Sequence, residues 1–315
     1  MIRKSIVMAL GLLFTTGVVA SGNQSGNMDS PWAELDRERI QLGAVKAAVV
    51  ELETGKTLYA KHADWVTPIA SITKVMTAMV VLDSQQDLAA WVTIPEPDRE
   101  TRKNAYSRMR IGSELRRRDL IRLALMSSEN LAAYTLAASF PGGVEAFVAQ
   151  MNAKARALGM KDTRFADPSG LSRKNLSTAA DLVKMLLAAA EYPQIREYST
   201  TPRYTARFRG PGYSLGYGNT NRLVHRGSWD IGLSKTGYIT EAGRCLVLLS
   251  EFEGREVAMV LLDAFGKLTP LGDAGRVKRW ITTGDSGRVA GAALRYEQSK
   301  AKQYPRLQAD ATPAR

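Results

Sequence analysis

The sequence predicts an α+β fold in which one antiparallel sheet is assembled from both ends of the chain and carries a helical subdomain. Three observations predict it. Short β-prone runs at 44–50 and 57–61 surround the turn Glu53-Thr54-Gly55-Lys56 and make a hairpin. Three further β-like runs, at 230–238, 244–251 and 255–263, lie near the other end. The stretch between them is mostly helical in pattern, so strands flank a helical insertion and belong to a common sheet.

The elements follow in order. Residues 6–20 are an apolar run preceded by Arg3 and Lys4 and closed by the small residues Val18 and Ala20. That run is short against the roughly 20 residues a bilayer span needs, so 1–20 is expected to be a secretory signal peptide and the mature protein to be exported. Residues 21–43 are a linker and N-terminal segment: Ser21 to Asp29 is rich in Gly, Ser and Asn, and Ser30-Pro31 could start a short helix carrying Trp32, Leu35 and Ile40. Residues 71–82 are apolar nearly all round, which predicts a helix buried on most faces, with Pro68 marking its boundary. Helical pieces at 118–126 and 130–139 are interrupted at Ser127-Ser128-Glu129, and Gly142-Gly143 separates them from a helix at 144–158. A helix near 178–190 precedes a Gly/Tyr/Arg-rich loop region, and a last helix follows the strands near 270–283. Residues 285–315 turn to Ala, Gly, Lys and Gln with Pro305 and Pro313, and a flexible tail is expected.

Composition excludes several classes. With 315 residues, 45% hydrophobic and 23% charged, the chain can bury a sizeable core and is not disordered. The lone cysteine, Cys245, allows no intramolecular disulfide, and its place in an apolar run makes it core packing and not a nucleophile. His62 and His225 are too few for a His-rich metal site, so no metal or cofactor is expected. The formal net charge of +12 falls to about +10 without Arg3 and Lys4, and cations cluster at Arg99, Arg102, Lys103, Arg108, Arg110 and Arg116 to Arg118. In an exported protein this balance points to an anionic envelope polymer or a weak association with the membrane surface, not to nucleic acid; a merely solvated basic face is the alternative.

Three elements carry chemistry. Ser71-Ile72-Thr73-Lys74 sets a hydroxyl and an amine at i and i+3 on one helix face, with the hydroxyl at a helix N-terminus that favours developing negative charge. The same spacing recurs at Ser299 and Lys302 in the tail, but only Lys74 is a lone cation within an apolar helix. Ser128-Glu129-Asn130 falls at the break between two helices, where its side chains can project into a cleft. Lys235-Thr236-Gly237 lies on a predicted strand, where a glycine lets another backbone approach closely. Two decoys fail on context. Gly212 to Gly216 fits a nucleophile elbow around Ser214, but no acid lies between Ser214 and His225. Gly284 to Gly287 places Ser286 in a protease-like GDSG at the edge of the tail, in a chain with no all-β pattern.

Taken together and in this order, the three elements resemble the active site of the penicillin-recognising serine enzymes, the DD-peptidases and serine β-lactamases. The stretches ASITKVMTAMVVLD, LALMSSEN, Gly159 to Leu171 and Lys235 to Gly243 are similar to D-alanyl-D-alanine endopeptidases of the serine DD-peptidase family. The resemblance covers about residues 44–284, which it makes the catalytic domain. It implies Ser71 as the acylated nucleophile, Lys74 as its general base and Ser128 as a proton shuttle to the leaving amine. It further implies that Asn130 holds the substrate backbone, Lys235 tunes the field and Thr236 binds the substrate carboxylate. Gly237 allows close approach, and the backbone N–H groups of Ser71 and Tyr238 form the oxyanion hole. Physically, a base lysine must be largely neutral near pH 7, and both apolar burial and the like charge of Lys235 push it that way.

The function this implies is a periplasmic serine DD-endopeptidase that hydrolyses D-alanyl-meso-diaminopimelate cross-links of peptidoglycan through an acyl-enzyme. Peptidoglycan peptides would be its substrates and β-lactam antibiotics its covalent inhibitors, with no cofactor. The alternatives are a DD-carboxypeptidase, a serine β-lactamase and a non-catalytic penicillin-binding scaffold. The E-x-x-L-N loop of class A lactamases has no counterpart between Asn130 and Lys235, and the complete motif set argues against a scaffold. Arg244 and Arg255 are both candidates for binding the substrate carboxylate.

Overall fold

The computed structural model describes residues 32, 34–97 and 107–311, with side chains as far as Tyr304. The expected signal peptide, most of the linker, the helix start at Ser30-Pro31 and the cations Arg99, Arg102 and Lys103 lie outside the described residues.

The sheet is the one expected. Strands β1 (Ala44–Glu51) and β2 (Thr57–Lys61) form the N-terminal hairpin. Three two-stranded pairs lie between the chain ends: β3 (Thr67–Pro68) with β6 (Leu176–Ser177), β4 (Trp91–Thr93) with β5 (Glu114–Arg116), and β7 (Arg203–Phe208) with β8 (Tyr213–Gly218). From the C-terminal half come β9 (Ile231–Ile239), β10 (Gly243–Phe252) and β11 (Arg255–Ala264). The order is β2-β1-β11-β10-β9, antiparallel throughout, so β11 joins the two ends of the chain and β9 lies at an edge.

Both faces of this sheet are covered, which explains why its central strands read as continuous apolar runs. Successive side chains point to opposite faces. Ala48, Val247, Val260 and their same-face neighbours pack into the core shared with α1 (Thr73–Asp83). Val49, Leu248 and Met259 pack on the other side with Val277 and the fully buried Trp280. The helical subdomain comprises α1, α2 (Arg117–Met126), α3 (Asn130–Ala138), α4 (Gly143–Ala157), α5 (Ala179–Ala190) and α6 (Pro193–Ser199). Helix α1 is buried from Thr73 to Val81, as its apolar circumference predicts. Helix α7 (Thr269–Thr283) covers the opposite face and is fixed to the start of β1 by Asp273, whose carboxylate accepts from the Gly43 and Ala44 amides at 2.9 and 2.8 Å.

The structure corrects the expectation in two places. The region after residue 190, read as a loop, contains α6 and the hairpin of β7 and β8. The flexible tail expected over 285–315 is instead largely helical: α8 (Gly291–Ala311) docks on β1 and β11. Its attachments are polar and aromatic. The Tyr296 hydroxyl donates to Asp263 Oδ1 at 2.7 Å, Glu297 pairs with Lys61 at 3.5 Å, and Tyr304 stacks on Trp65 with ring centroids 3.8 Å apart. Asp263 is itself buried and paired to Lys46 at 2.8 Å, so the Tyr296 hydroxyl completes a desolvated carboxylate. Tyr296→Phe should therefore lower unfolding free energy by about 1–2 kcal/mol without altering penicillin labelling, which a urea titration checks.

Candidate active site

Ser71 sits in a 3-10 turn, Ala70–Ile72, that feeds directly into α1. The turn is held in an unusual geometry. Ala70 has φ +48°, a region that side chains with a Cβ rarely occupy. Its carbonyl accepts from the Thr73 hydroxyl at 2.8 Å, and the Ile69 amide donates to the Asn175 carbonyl at 3.1 Å. The loop carrying Gly170 presses against the same turn: at φ +84°, a Cβ on Gly170 would lie 2.0 Å from the Ala70 carbonyl oxygen. Only glycine fits there.

Lys74 follows one turn later and is fully buried. Its ammonium nitrogen lies 2.9 Å from Ser71 Oγ, 2.7 Å from Asn130 Oδ1 and 2.5 Å from the Ser169 carbonyl oxygen. Burial pulls its pKa down to about 7, against the weaker opposing charges of Asp167 and Glu129. The partners then fix where the lone pair of the neutral amine points. Asn130 Oδ1 and a backbone carbonyl can only accept, so they take the two remaining N–H groups. The lone pair faces the Ser71 hydroxyl, which is the arrangement of a nucleophile with its base.

The Ser169 carbonyl is aimed by Asp167, whose Oδ1 accepts from the amides of Ser169 and Gly170 at 2.6 and 2.7 Å, and whose Oδ2 accepts from the Ser172 amide at 2.8 Å. The loop is tied to α1 as well: Thr77 donates to the Pro168 carbonyl at 2.6 Å, and Asn175 Nδ2 to Thr73 Oγ1 at 2.9 Å.

Across the cleft, Ser128 lies at the break between α2 and α3 with φ +61°. Lys235 donates to Ser128 Oγ at 2.9 Å and to the Thr236 carbonyl at 2.7 Å. It is 1% exposed, and burial, reinforced by the charge of Lys74, holds its pKa well below the usual lysine range. Thr236 shares a 2.7 Å hydrogen bond with Thr220, and a Cβ on Gly237 would come 3.1 Å from the Ser71 amide nitrogen. Strand β9 thus passes directly beside the nucleophile; Ser199 of α6 caps its outer edge at the Ser234 amide, and beyond that point Thr236 to Tyr238 line the cleft, where an extended ligand can pair. Tyr238, 51% exposed, stands at the rim.

These residues share one cleft of about 780 Å³, lined among others by Ser71, Ser128, Asn130, Thr236, Gly237 and Tyr238. The structure therefore gathers every predicted site residue: Lys74 and Lys235 lie beneath that lining. It adds Ser169, which contributes only a carbonyl, and Thr220, which reaches Thr236, 16 positions further along the chain. Of the two candidate arginines, Arg244 lines the cleft, whereas Arg255 pairs with Glu51 at 2.5 Å and Glu53 at 3.3 Å and does not line it. Among the decoys, Ser214 is on β8, Ser286 Oγ accepts from the Gln41 amide at 2.8 Å, and His62 stacks on Trp65. Cys245 is buried in the core, and burial pushes its thiol up to about 12.

Residues 33–266 match the D-alanyl-D-alanine carboxypeptidase family. The chain is 46% identical over 291 residues to a D-alanyl-D-alanine endopeptidase of Pseudomonas aeruginosa, covering 92% of this chain and 91% of that protein. It is 48% identical over 263 residues to a D-alanyl-D-alanine endopeptidase of Escherichia coli, covering 84% and 85%. Among solved structures it resembles penicillin-binding protein D2 of Listeria monocytogenes in its ampicillin-bound form, with a TM-score of 0.67, 29% identity and coverage of 78% of this chain and 99% of that one.

Proposed function

The chain belongs to the D-alanyl-D-alanine carboxypeptidase family, and from that premise we propose that it is a serine DD-endopeptidase of the bacterial periplasm that opens D-alanyl-meso-diaminopimelate cross-links in peptidoglycan. The observation that carries the chemistry is the set of three contacts made by buried Lys74, which leaves its neutral amine one proton to take, that of Ser71. Similarity to endopeptidases over more than four-fifths of the chain supports the choice of bond. The apolar run at 6–20 supports export.

The steps follow from the geometry. Ser71 Oγ attacks the D-alanyl carbonyl as Lys74 accepts its proton, and the oxyanion is held by the amides of Ser71 and Tyr238. Thr236 and Thr220 receive the carboxylate beside the scissile bond. Ser128, hydrogen-bonded to Lys235, passes its proton to the leaving nitrogen and takes back the one that Lys74 received from Ser71, so that the amine is neutral again. Water then attacks the acyl-enzyme and gives its proton to Lys74, which hands it on to the departing Ser71 oxygen and so regenerates both groups. Beyond Thr236 the cleft continues to Asn219 and Arg222, so a leaving group larger than alanine has somewhere to go. β-Lactams acylate the same serine. The E-x-x-L-N loop that supplies the deacylating glutamate of class A lactamases has no counterpart between Asn130 and Lys235, so the β-lactam adduct should be long-lived.

Digestion of purified muropeptides tests the assignment. Cross-linked dimers should become monomers faster than pentapeptides lose D-alanine. Mass spectra showing loss of terminal D-alanine with dimers intact would make the protein a carboxypeptidase.

A further inference from the structure

The proposed reaction fixes the direction of the bound peptide. The scissile carbonyl lies between the amides of Ser71 and Tyr238, and the carboxylate on the leaving side lies at Thr236. The acyl donor must therefore extend the other way, past Tyr238 toward Ile239, Thr240 and Glu241. Those residues line the cleft, and so do Arg244, Lys267 and Leu268.

This arm carries charge that the protein itself does not neutralise. Among the described residues neither the Arg244 nor the Lys267 side chain makes an ion pair or hydrogen bond; the guanidinium carbon of Arg244 instead lies over the Tyr238 ring, 3.7 Å from its centroid. This cation–π contact holds the fork near the strand while leaving its N–H groups unpartnered, so that a carboxylate can accept two of them. Tyr238 also belongs to the oxyanion hole, so the arginine is registered directly against the reacting carbonyl. Lys267 is exposed on the loop opposite. Leu268, 58% exposed on the same rim, adds an apolar wall.

Resting on the peptidase reading, we propose that Arg244 and Lys267 form a donor-stem subsite that recognises a free carboxylate of the acyl-donor peptide. Two carboxylates are available in such a stem: the α-carboxylate of the γ-linked D-glutamate and the one on the D-centre of diaminopimelate. Glu241, on the same arm, suits the ammonium group that accompanies the second. The subsite grips the part of the substrate retained in the acyl-enzyme, not the part that leaves.

The test measures kcat/KM for the unaltered protein, Arg244→Gln and Lys267→Gln. The substrates are a soluble cross-linked dimer and two versions of it in which one donor-stem carboxylate or the other is an amide. Melting temperature and the stoichiometry of fluorescent-penicillin labelling report that the variants fold. A charge-assisted pair predicts a loss of roughly tenfold or more for Arg244→Gln on the unmodified dimer. Amidation of the recognised carboxylate should cost the unaltered protein a similar factor and cost Arg244→Gln nothing further, and whichever amide does so identifies the carboxylate. Turnover that is unchanged in both variants, or losses that simply multiply with both amides, overturns the subsite alone. No turnover of any dimer by the unaltered protein overturns the peptidase reading and the subsite with it.

Discussion

Ser71→Ala should show no covalent labelling by a fluorescent penicillin at any exposure time, and no conversion of cross-linked muropeptides. The change removes one oxygen from a half-buried side chain whose hydroxyl contact is with Lys74 Nζ. The 3-10 turn is fixed by the Ala70 carbonyl, the Ile69 amide and the loop at Gly170, none of which uses that oxygen. Stability should therefore stay within about 1 kcal/mol of the unaltered protein, as judged by chemical denaturation. The loss is total because the acyl bond has no other atom to form on. A protein that still labels at serine after this change would have its nucleophile elsewhere.

The second large effect belongs to Lys74. Acylation needs the amine form, and burial sets its pKa at about 7. The labelling rate should accordingly rise with pH through about 7 and level off above it, because the group loses its proton as pH increases. Two units below that pKa, only roughly one molecule in a hundred carries the free base. Lys74→Arg separates the base from the charge. A guanidinium keeps a positive charge near Ser71 but does not deprotonate in a protein, so the acylation rate should fall by about a thousandfold and stay low at every pH. Stopped-flow labelling across pH 5–9 measures both. Arginine sustaining the original rate would show that charge alone, and not proton transfer, is what the site requires.

The residues that meet in the cleft were legible in the sequence because acyl transfer demands particular side chains, and three of the motifs place them at fixed spacing. What was illegible acts through the backbone or through long-range pairing. Ser169 contributes a carbonyl, which leaves no signature of its own; the signal was Asp167, followed by Pro168-Ser169-Gly170, a run rich in turn chemistry. Thr220 matters only because the fold brings it to Thr236. The sheet was legible through its apolar runs, but β7 was hidden by composition: Arg203 to Phe208 reads as Gly/Tyr/Arg loop until one notices that Ala206 and Phe208 are buried while Arg203, Thr205 and Arg207 are exposed. Helix α8 leaves little trace in the sequence for a different reason. It attaches largely through tyrosines and an ion pair, so its docking face lacks the aliphatic stripe on which a sequence reading depends.

The open stretch of the β9 edge, at Thr236 to Tyr238, has a price in solution behaviour. An unpaired strand bordering a sheet is an invitation to another copy of the same strand, and proteins usually blunt such borders with charge, proline or a covering helix. Here those remedies are restricted, because catalysis needs the border bare enough to accept a chain from outside. The fold covers the first part of the border with α6, whose Ser199 accepts from the Ser234 amide, and guards the rest by access. The wall formed by Ser128 and Asn130 stands opposite β9, leaving a slot between them. A single extended peptide can slide into that slot and complete the sheet, but a neighbouring molecule, arriving with its own sheet and the layers packed on it, meets the wall first. The feature that selects a strand-like guest thus also guards against self-association, and a mutation that lowered the wall would be expected to cost colloidal stability as well as turnover.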